Sequence, residues 1–162
     1  MISPEELKKS AGKSEKQNKT FFRNIKPGKA NLLDNITHSE NDKVFSKINC
    51  LDCAYCCKYL GPRITNKDIR DLSHYLNIKE SEFEKKYIKI DEDNDTIFSS
   101  HPCPFLDTKN FCAVYDKRPR ACRDYPHTHQ PEILRKKEIH IKNTFICPAV
   151  FEIFENIKKT WK

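Results

Sequence analysis

The sequence predicts a mainly helical α+β fold, in which a small single domain has an irregular, cysteine-rich centre and few short strands. Apolar residues recur at helical spacing in several segments, and two of these segments begin with a pattern that caps helices. Prolines crowd the middle of the chain, where they limit regular structure. Of the 162 residues, 37% are hydrophobic and 33% are charged, so apolar burial alone would give a thin core.

Residues 1–30 are predicted to form a basic, flexible N-terminal tail. They contain eight Lys or Arg residues and three Asp or Glu residues, and few of them are apolar. Residues 31–162 are predicted to form the domain, which is nearly neutral with 22 basic and 20 acidic side chains. This distribution argues against a nucleic-acid-binding surface on the domain and leaves only the tail as a region that can contact nucleic acid.

Helices are predicted on both sides of the first cysteines. Residues 31–48 form a loose apolar segment that suits a helix. Further on, Thr65 and Asp68 have the spacing of a capping box, in which a hydroxyl and an acid three residues later satisfy the first amides of a helix. Ser81 and Glu84 repeat that spacing, so a second helix is expected there.

The second half of the chain mixes short strands with one clear helix. Residues 91–95 form a polar turn, residues 96–116 suit short strands or extended turns, and alternating apolar positions in residues 132–146 suggest a strand. A final helix is expected to begin at Pro148, because proline is favoured in a first helical turn. Its apolar stripe consists of Val150, Ile153, Phe154, Ile157 and Trp161.

Eight cysteines are the most informative feature of the sequence, and four of them lie within eight residues. Two residues between thiolates let a short loop place both sulfurs on one ion, and a tandem C-x2-C-x2-C can offer three sulfurs to an iron–sulfur cluster. Clustered thiolates therefore predict a site for zinc or iron, with a 4Fe-4S cluster as one form of the iron. The candidate ligands are Cys50, Cys53, Cys56, Cys57, Cys103, Cys112, Cys122 and Cys147.

The partition of these cysteines stays open at the level of sequence. Two separate four-cysteine sites, one four-cysteine site with additional structural cysteines, and one shared multinuclear site all fit the spacing.

The chain is expected to be cytoplasmic. No apolar run approaches the roughly 18 residues of a membrane span, and the N-terminal residues lack the apolar region of a secretory signal. In a reducing compartment thiols are kept reduced, so clustered cysteines are more often ligands or catalysts than disulfides.

Charged and imidazole side chains near the later cysteines are further candidates. Arg118, Arg120 and Arg123 can offset the negative charge of a thiolate cluster or bind an anion, and they can equally serve to pair with nearby aspartates. His127 and His129 are candidate additional ligands, because imidazole is a common zinc ligand.

Several motifs occur in an order that resembles the CxxCxxCC family, whose YkgJ-like members are described as zinc- or iron-chelating domains. The resemblance rests on residues 50–57, 64–69, 103–106, 112–115 and 118–126, and it extends with Cys147 to about residue 150. The resemblance implies that the cysteines at the family's motif positions chelate a metal, and it does not imply a particular reaction.

We therefore predict a metal-binding protein that chelates zinc or iron through clustered thiolates and needs the metal for folding. Two alternatives remain: an iron–sulfur oxidoreductase or protein-modifying enzyme that uses the cluster, and a protein for metal storage or delivery. The metal ion is the expected partner, with a protein partner also compatible, and no catalytic residue is assigned.

Overall fold

The computed structural model describes residues 2–161 and confirms the mainly helical α+β class, with 59% of the residues in helices. The chain folds into two compact units. The helical unit contains the chain up to Asn49 and from Pro126 onward, and the cysteine unit is Cys50–Tyr125. No helix among residues 2–161 is long and apolar enough to cross a membrane.

The helical unit is built from four helices. These are α1 (Pro4–Asn24), α2 (Ala30–Phe45), α8 (Lys137–Asn143) and α9 (Pro148–Thr160), and a short 3₁₀ turn, Pro27–Lys29, links the first two. The helix α9 packs against the other three, and its Phe154 ring lies 5.3 Å from the Phe22 ring. The predicted final helix is confirmed, with Pro148 in its first turn.

The N-terminal segment, for which a flexible tail over residues 1–30 was predicted, is helical from Pro4 to Asn24. Ser3 and Glu6 form a capping box at the start of α1, which also has a proline in its first turn. One face of α1 buries Leu7, Ala11, Asn18 and Phe22. These few buried residues at helical spacing fix the helix in place, although most of its side chains are polar.

The strand suggested within residues 132–146 is also absent from the described residues, where α8 takes its place. Ile141 is buried, whereas Ile139 is 48% exposed. In a strand, residues two apart would share a face. The burial of His140, Ile141 and Asn143 is instead the pattern of a short helix lying on a core.

The cysteine unit contains five short helices and one hairpin. They are α3 (Cys50–Cys53), α4 (Tyr55–Tyr59), α5 (Asn66–Tyr75), α6 (Glu80–Tyr87), β1 (Ile88–Ile90), β2 (Thr96–Phe98) and α7 (Arg120–Asp124), with a 3₁₀ turn at Tyr115–Lys117. The antiparallel pair β1–β2 places Ile88 opposite Phe98. The strands suggested over residues 96–116 are limited to β2, and the remainder of that range consists of turns and isolated bridges.

The capping predictions had different outcomes in this unit. Thr65 and Asp68 form the predicted capping box of α5. The helix α6 begins one residue before Ser81, after Lys79, and no side chain caps it. The polar turn at residues 91–95 is confirmed, since the Asp91 carboxylate accepts hydrogen bonds from two amides within it.

The core of the cysteine unit is small and combines aliphatic side chains with a cluster of aromatic rings around Phe105. The Phe105 ring lies 5.3 Å from the Phe98 ring and 4.9 Å from the Tyr87 ring, and it stacks on Phe83 at 6.2 Å. The buried residues of this core are Ile64, Ile69, Leu72, Phe83, Phe98, Phe105 and Val114. Cys103 and Cys112 pack against its edge, so the aromatic core supports two of the candidate ligands.

Candidate metal centre

The leading cysteine run forms two successive helical turns with a left-handed residue between them. Ala54 separates α3 from α4 with φ 51°, and it is 4% exposed. A left-handed conformation costs a residue with a side chain about 1 kcal/mol, so the surrounding structure must hold it in place. The Ala54 amide donates to the Cys50 carbonyl at 2.9 Å, and the Ala54 carbonyl accepts from the Lys58 amide at 3.0 Å.

Hydrogen bonds of the backbone join separate segments of the cysteine unit. The Cys103 amide donates to the Cys57 carbonyl at 2.8 Å, and Cys112 forms an isolated antiparallel bridge with Leu106. Cys122 lies in α7, whose first amide, that of Arg120, donates to the Asp68 carboxylate at 3.0 Å. Segments that are distant in sequence therefore meet within one unit.

Cys57 interacts electrostatically with most of the other thiols of the unit. Burial is the main cause that raises the pKa of five other cysteine thiols, and the negative charge of Cys57 raises the pKa of each of them further. Cys57 is therefore within electrostatic range of all five. They are Cys50, Cys53, Cys103, Cys112 and Cys122.

The individual thiols differ strongly in acidity. Burial raises the pKa of Cys103 to about 11 and that of Cys122 to about 12. The hydrogen bond from Cys56 is the main cause that lowers the pKa of Cys57 to about 7, and the charges of Arg118 and Lys58 act in the same direction against burial. Cys57 is thus the thiol of this group most readily present as the thiolate that metals bind.

The arginines that follow Tyr115 have three different roles. Arg118 stacks on the Tyr115 ring, with its guanidinium 3.6 Å from the ring centroid. Arg120 forms an ion pair with Asp124 at 3.2 Å. Arg123 donates to the Arg118 carbonyl at 2.6 Å. All three arginines were candidates in the sequence, and the structure shows that their guanidinium groups make different contacts.

Three of the predicted candidates belong to the helical unit. Cys147 is the residue just before α9, and it packs at the edge of the helical unit's core. His127 has a left-handed backbone with φ 70°, and His129 is exposed. The other seven cysteines lie together in the cysteine unit.

The donor chemistry suits zinc or iron. All eight cysteines are present as thiols, and seven of these soft donors share one unit of the fold. The Cys56 and Cys57 sulfurs are 3.9 Å apart, and zinc–sulfur bonds of about 2.3 Å in a tetrahedron place two sulfurs about 3.8 Å apart. Within residues 2–161, however, no three His, Cys, Asp or Glu side chains lie close enough together to hold a metal ion.

Comparison with known proteins supports the same chemistry. A family model named CxxCxxCC, with the description "Putative zinc- or iron-chelating domain", matches residues 49–148. That range contains all eight cysteines and more than half of the chain. Neither the curated proteins nor the solved structures that were compared with the chain gave a match. The chain therefore belongs to the CxxCxxCC family of zinc- or iron-chelating domains.

Proposed function

We propose that the protein binds zinc or iron through thiolates of the cysteine unit and that the bound metal is needed to hold this unit folded. The observation that carries the proposal is that seven free thiols from separate chain segments belong to one compact unit. The proposed ligands are drawn from Cys50, Cys53, Cys56, Cys57, Cys103, Cys112 and Cys122. The prediction that Cys147 is also a ligand stands and is tested below.

A role of the metal in folding follows from the chemistry of buried thiols. Thiols with a raised pKa, such as Cys103 and Cys122, are protonated at neutral pH without a metal. A bound metal replaces those protons with bonds that join separate segments, and the binding free energy then becomes folding free energy. Such links would add to the folding free energy of this unit, whose small core has few buried side chains to stabilise it.

The first experiment identifies the metal. The protein is purified without oxygen, and its metal content, acid-labile sulfide and visible spectrum are recorded. A colourless protein with stoichiometric zinc supports a zinc site, and a brown protein with labile sulfide supports an iron–sulfur cluster. A protein that binds neither zinc nor iron contradicts the proposal.

Variants then locate the site. We expect Cys57→Ser to lose most of the bound metal, because a hydroxyl is a much poorer ligand for zinc or iron than a thiolate. Ser81→Ala, at an exposed position of α6, is the control and should keep the wild-type content. Wild-type metal content in Cys57→Ser would show that the site is elsewhere, and Cys147→Ser decides whether the cysteine of the helical unit takes part.

One observation favours a second candidate, an iron–sulfur oxidoreductase or protein-modifying enzyme. Cys56 and Cys57 are adjacent thiols with sulfurs 3.9 Å apart, and the pKa of Cys57 is lowered to about 7. A thiolate at neutral pH is a nucleophile as well as a ligand. Anaerobic reduction separates the candidates, because a redox cluster bleaches on addition of dithionite whereas a zinc site shows no change in the visible spectrum.

A further inference from the structure

A groove on the surface of the cysteine unit is lined by α5 and by the end of the 3₁₀ turn Tyr115–Lys117. Its volume is about 760 Å³, which is within the range of roughly 300–1,000 Å³ that small-molecule sites occupy in proteins. None of the lining residues is a candidate metal ligand. They are Lys67, Arg70, Asp71, His74, Tyr75 and Lys117.

The groove rests on the packed core of the unit. Residues three or four apart are neighbours on the surface of a helix, and the five lining residues of α5 follow that spacing. The opposite face of α5 buries Ile69 and Leu72 in the core. The Lys117 amide donates to the carbonyl of Val114 at 2.9 Å, and Val114 belongs to the same core. One core therefore supports both sides of the groove.

The groove is positively charged although the unit as a whole is neutral. Residues 50–125 contain thirteen Lys or Arg residues and thirteen Asp or Glu residues. The groove has three cationic side chains and one carboxylate, that of Asp71, which pairs with Lys67 at 2.6 Å. Arg70 and Lys117 are exposed and have no ion-pair partner within residues 2–161. Two cations are therefore available to an anion from outside the chain.

The other two lining residues add a hydrogen-bond donor and a flat aromatic surface. His74 is exposed, and its imidazole carries a ring N–H in either tautomer. Tyr75 is 49% exposed, so one part of its ring is accessible to a ligand. Exposed aromatic rings beside cationic side chains are the combination on which nucleic-acid bases stack.

We propose that this groove binds a nucleotide, with Arg70 and Lys117 on the phosphates and Tyr75 against the base. Arginine and lysine form strong charge-assisted hydrogen bonds with phosphate oxygens. Inorganic phosphate alone would leave Tyr75 unused, and an apolar ligand would leave both cations unpaired. A single nucleotide needs only a local group of cations, which agrees with the neutral charge of the unit. Nucleotide binding at this groove does not depend on the proposed metal-binding function.

The test measures the binding of adenosine triphosphate to the full-length chain by isothermal titration calorimetry, at about 150 mM salt to screen weak surface contacts. We expect the triphosphate nucleotide to bind, inorganic triphosphate to bind more weakly, and adenosine not to bind. The double variant Arg70→Gln/Lys117→Gln should bind the nucleotide at least about ten-fold more weakly, because two charge-assisted contacts are lost. Tyr75→Ala should weaken nucleotide binding about five-fold or more and leave the binding of inorganic triphosphate unchanged.

The matched control is Lys85→Gln/Lys109→Gln. It also removes two positive charges from exposed positions of the same unit, but neither residue lines the groove, so its affinity for the nucleotide should equal that of wild type. Circular dichroism checks the folding of each variant. Should the double variant fail to fold, Arg70→Gln alone decides the question, since weaker nucleotide binding supports the proposal and unchanged binding overturns it.

Three results overturn the proposal directly. The first is that wild type does not bind the nucleotide at millimolar concentration, or that the double variant binds it as tightly as wild type. The second is that inorganic triphosphate binds as tightly as the nucleotide and Tyr75→Ala has no effect. The third is that a single-stranded oligonucleotide binds while the nucleotide does not, which would assign the groove to nucleic acid instead.

Discussion

Acidification is expected to destabilise the helical unit through His140. This side chain is fully buried in α8, and its ring lies 5.6 Å from the Phe154 ring. Neither ring nitrogen has a hydrogen-bond partner among the described residues. Burial is the main cause that lowers the pKa of His140 from 6.5 to about 4; the charges of His127 and Lys136 lower it further, and Asp34 opposes them.

The sign and size of the effect follow from these two pKa values. In the unfolded chain His140 is protonated near pH 6.5, whereas in the folded chain it is protonated only near pH 4, its lowered pKa. The free energy of unfolding therefore falls as the pH drops between these values. A difference of about 2.5 pH units, at 1.36 kcal/mol for each, gives a total loss of about 3 kcal/mol. About 2 kcal/mol of this loss should be reached by about pH 4.5.

His140→Leu isolates this contribution. Urea unfolding, followed by far-ultraviolet circular dichroism with a chelator present, is compared at about pH 7 and about pH 4.5. The leucine variant should lose about 2 kcal/mol less than wild type on acidification. It should also be at least about 1 kcal/mol more stable at neutral pH, because two buried polar atoms without partners are removed. An identical pH dependence of the two proteins would refute the reasoning, since other acidic and basic groups titrate equally in both.

Two more predictions concern the cysteine unit. Thr65→Ala removes the hydroxyl that caps α5 and should lower the free energy of unfolding by about 1 kcal/mol in urea titrations, with Ser81→Ala as a control that leaves it unchanged. Zinc affinity should rise with pH, because burial raises the pKa of Cys103 and Cys122 to about 11 and about 12 and zinc must displace their protons. Chelator competition at about pH 6.5 and about pH 8 measures this, and a flat profile would mean that these two thiols are not ligands.

Local sequence signals predicted the parts of the fold whose causes are local. The α5 capping box depends on Thr65 and Asp68 alone, and α9 begins where proline suits a first helical turn. The helix α8 was missed because its stability comes from packing, whereas α1 was missed although Ser3, Pro4 and Glu6 give the local signal of a capped helix start. In α1 only a narrow stripe is buried, and in α8 the informative buried residue is His140, which no hydrophobicity pattern identifies.

The candidate site shows the same division between local and distant causes. The spacing of the leading run was sufficient to predict a thiolate site, and the family match supports that chemistry. The left-handed Ala54 between the two helical turns could not be predicted, because alanine gives no sign of such a conformation. Nor could sequence separate Arg118 from Arg120, since their difference lies in what each guanidinium contacts.

The lengths of the helices that carry cysteines explain why a metal is expected to support this unit. The helices α3, α4 and α7 have four, five and five residues. Isolated helices shorter than about 12 residues are marginal in water, and neither α4 nor α7 has a side-chain cap. Together these three helices carry five of the seven cysteines of the unit. A metal bound by their thiolates would join elements that are marginal alone, so the segments with the weakest intrinsic helical stability are also those that carry the most candidate ligands.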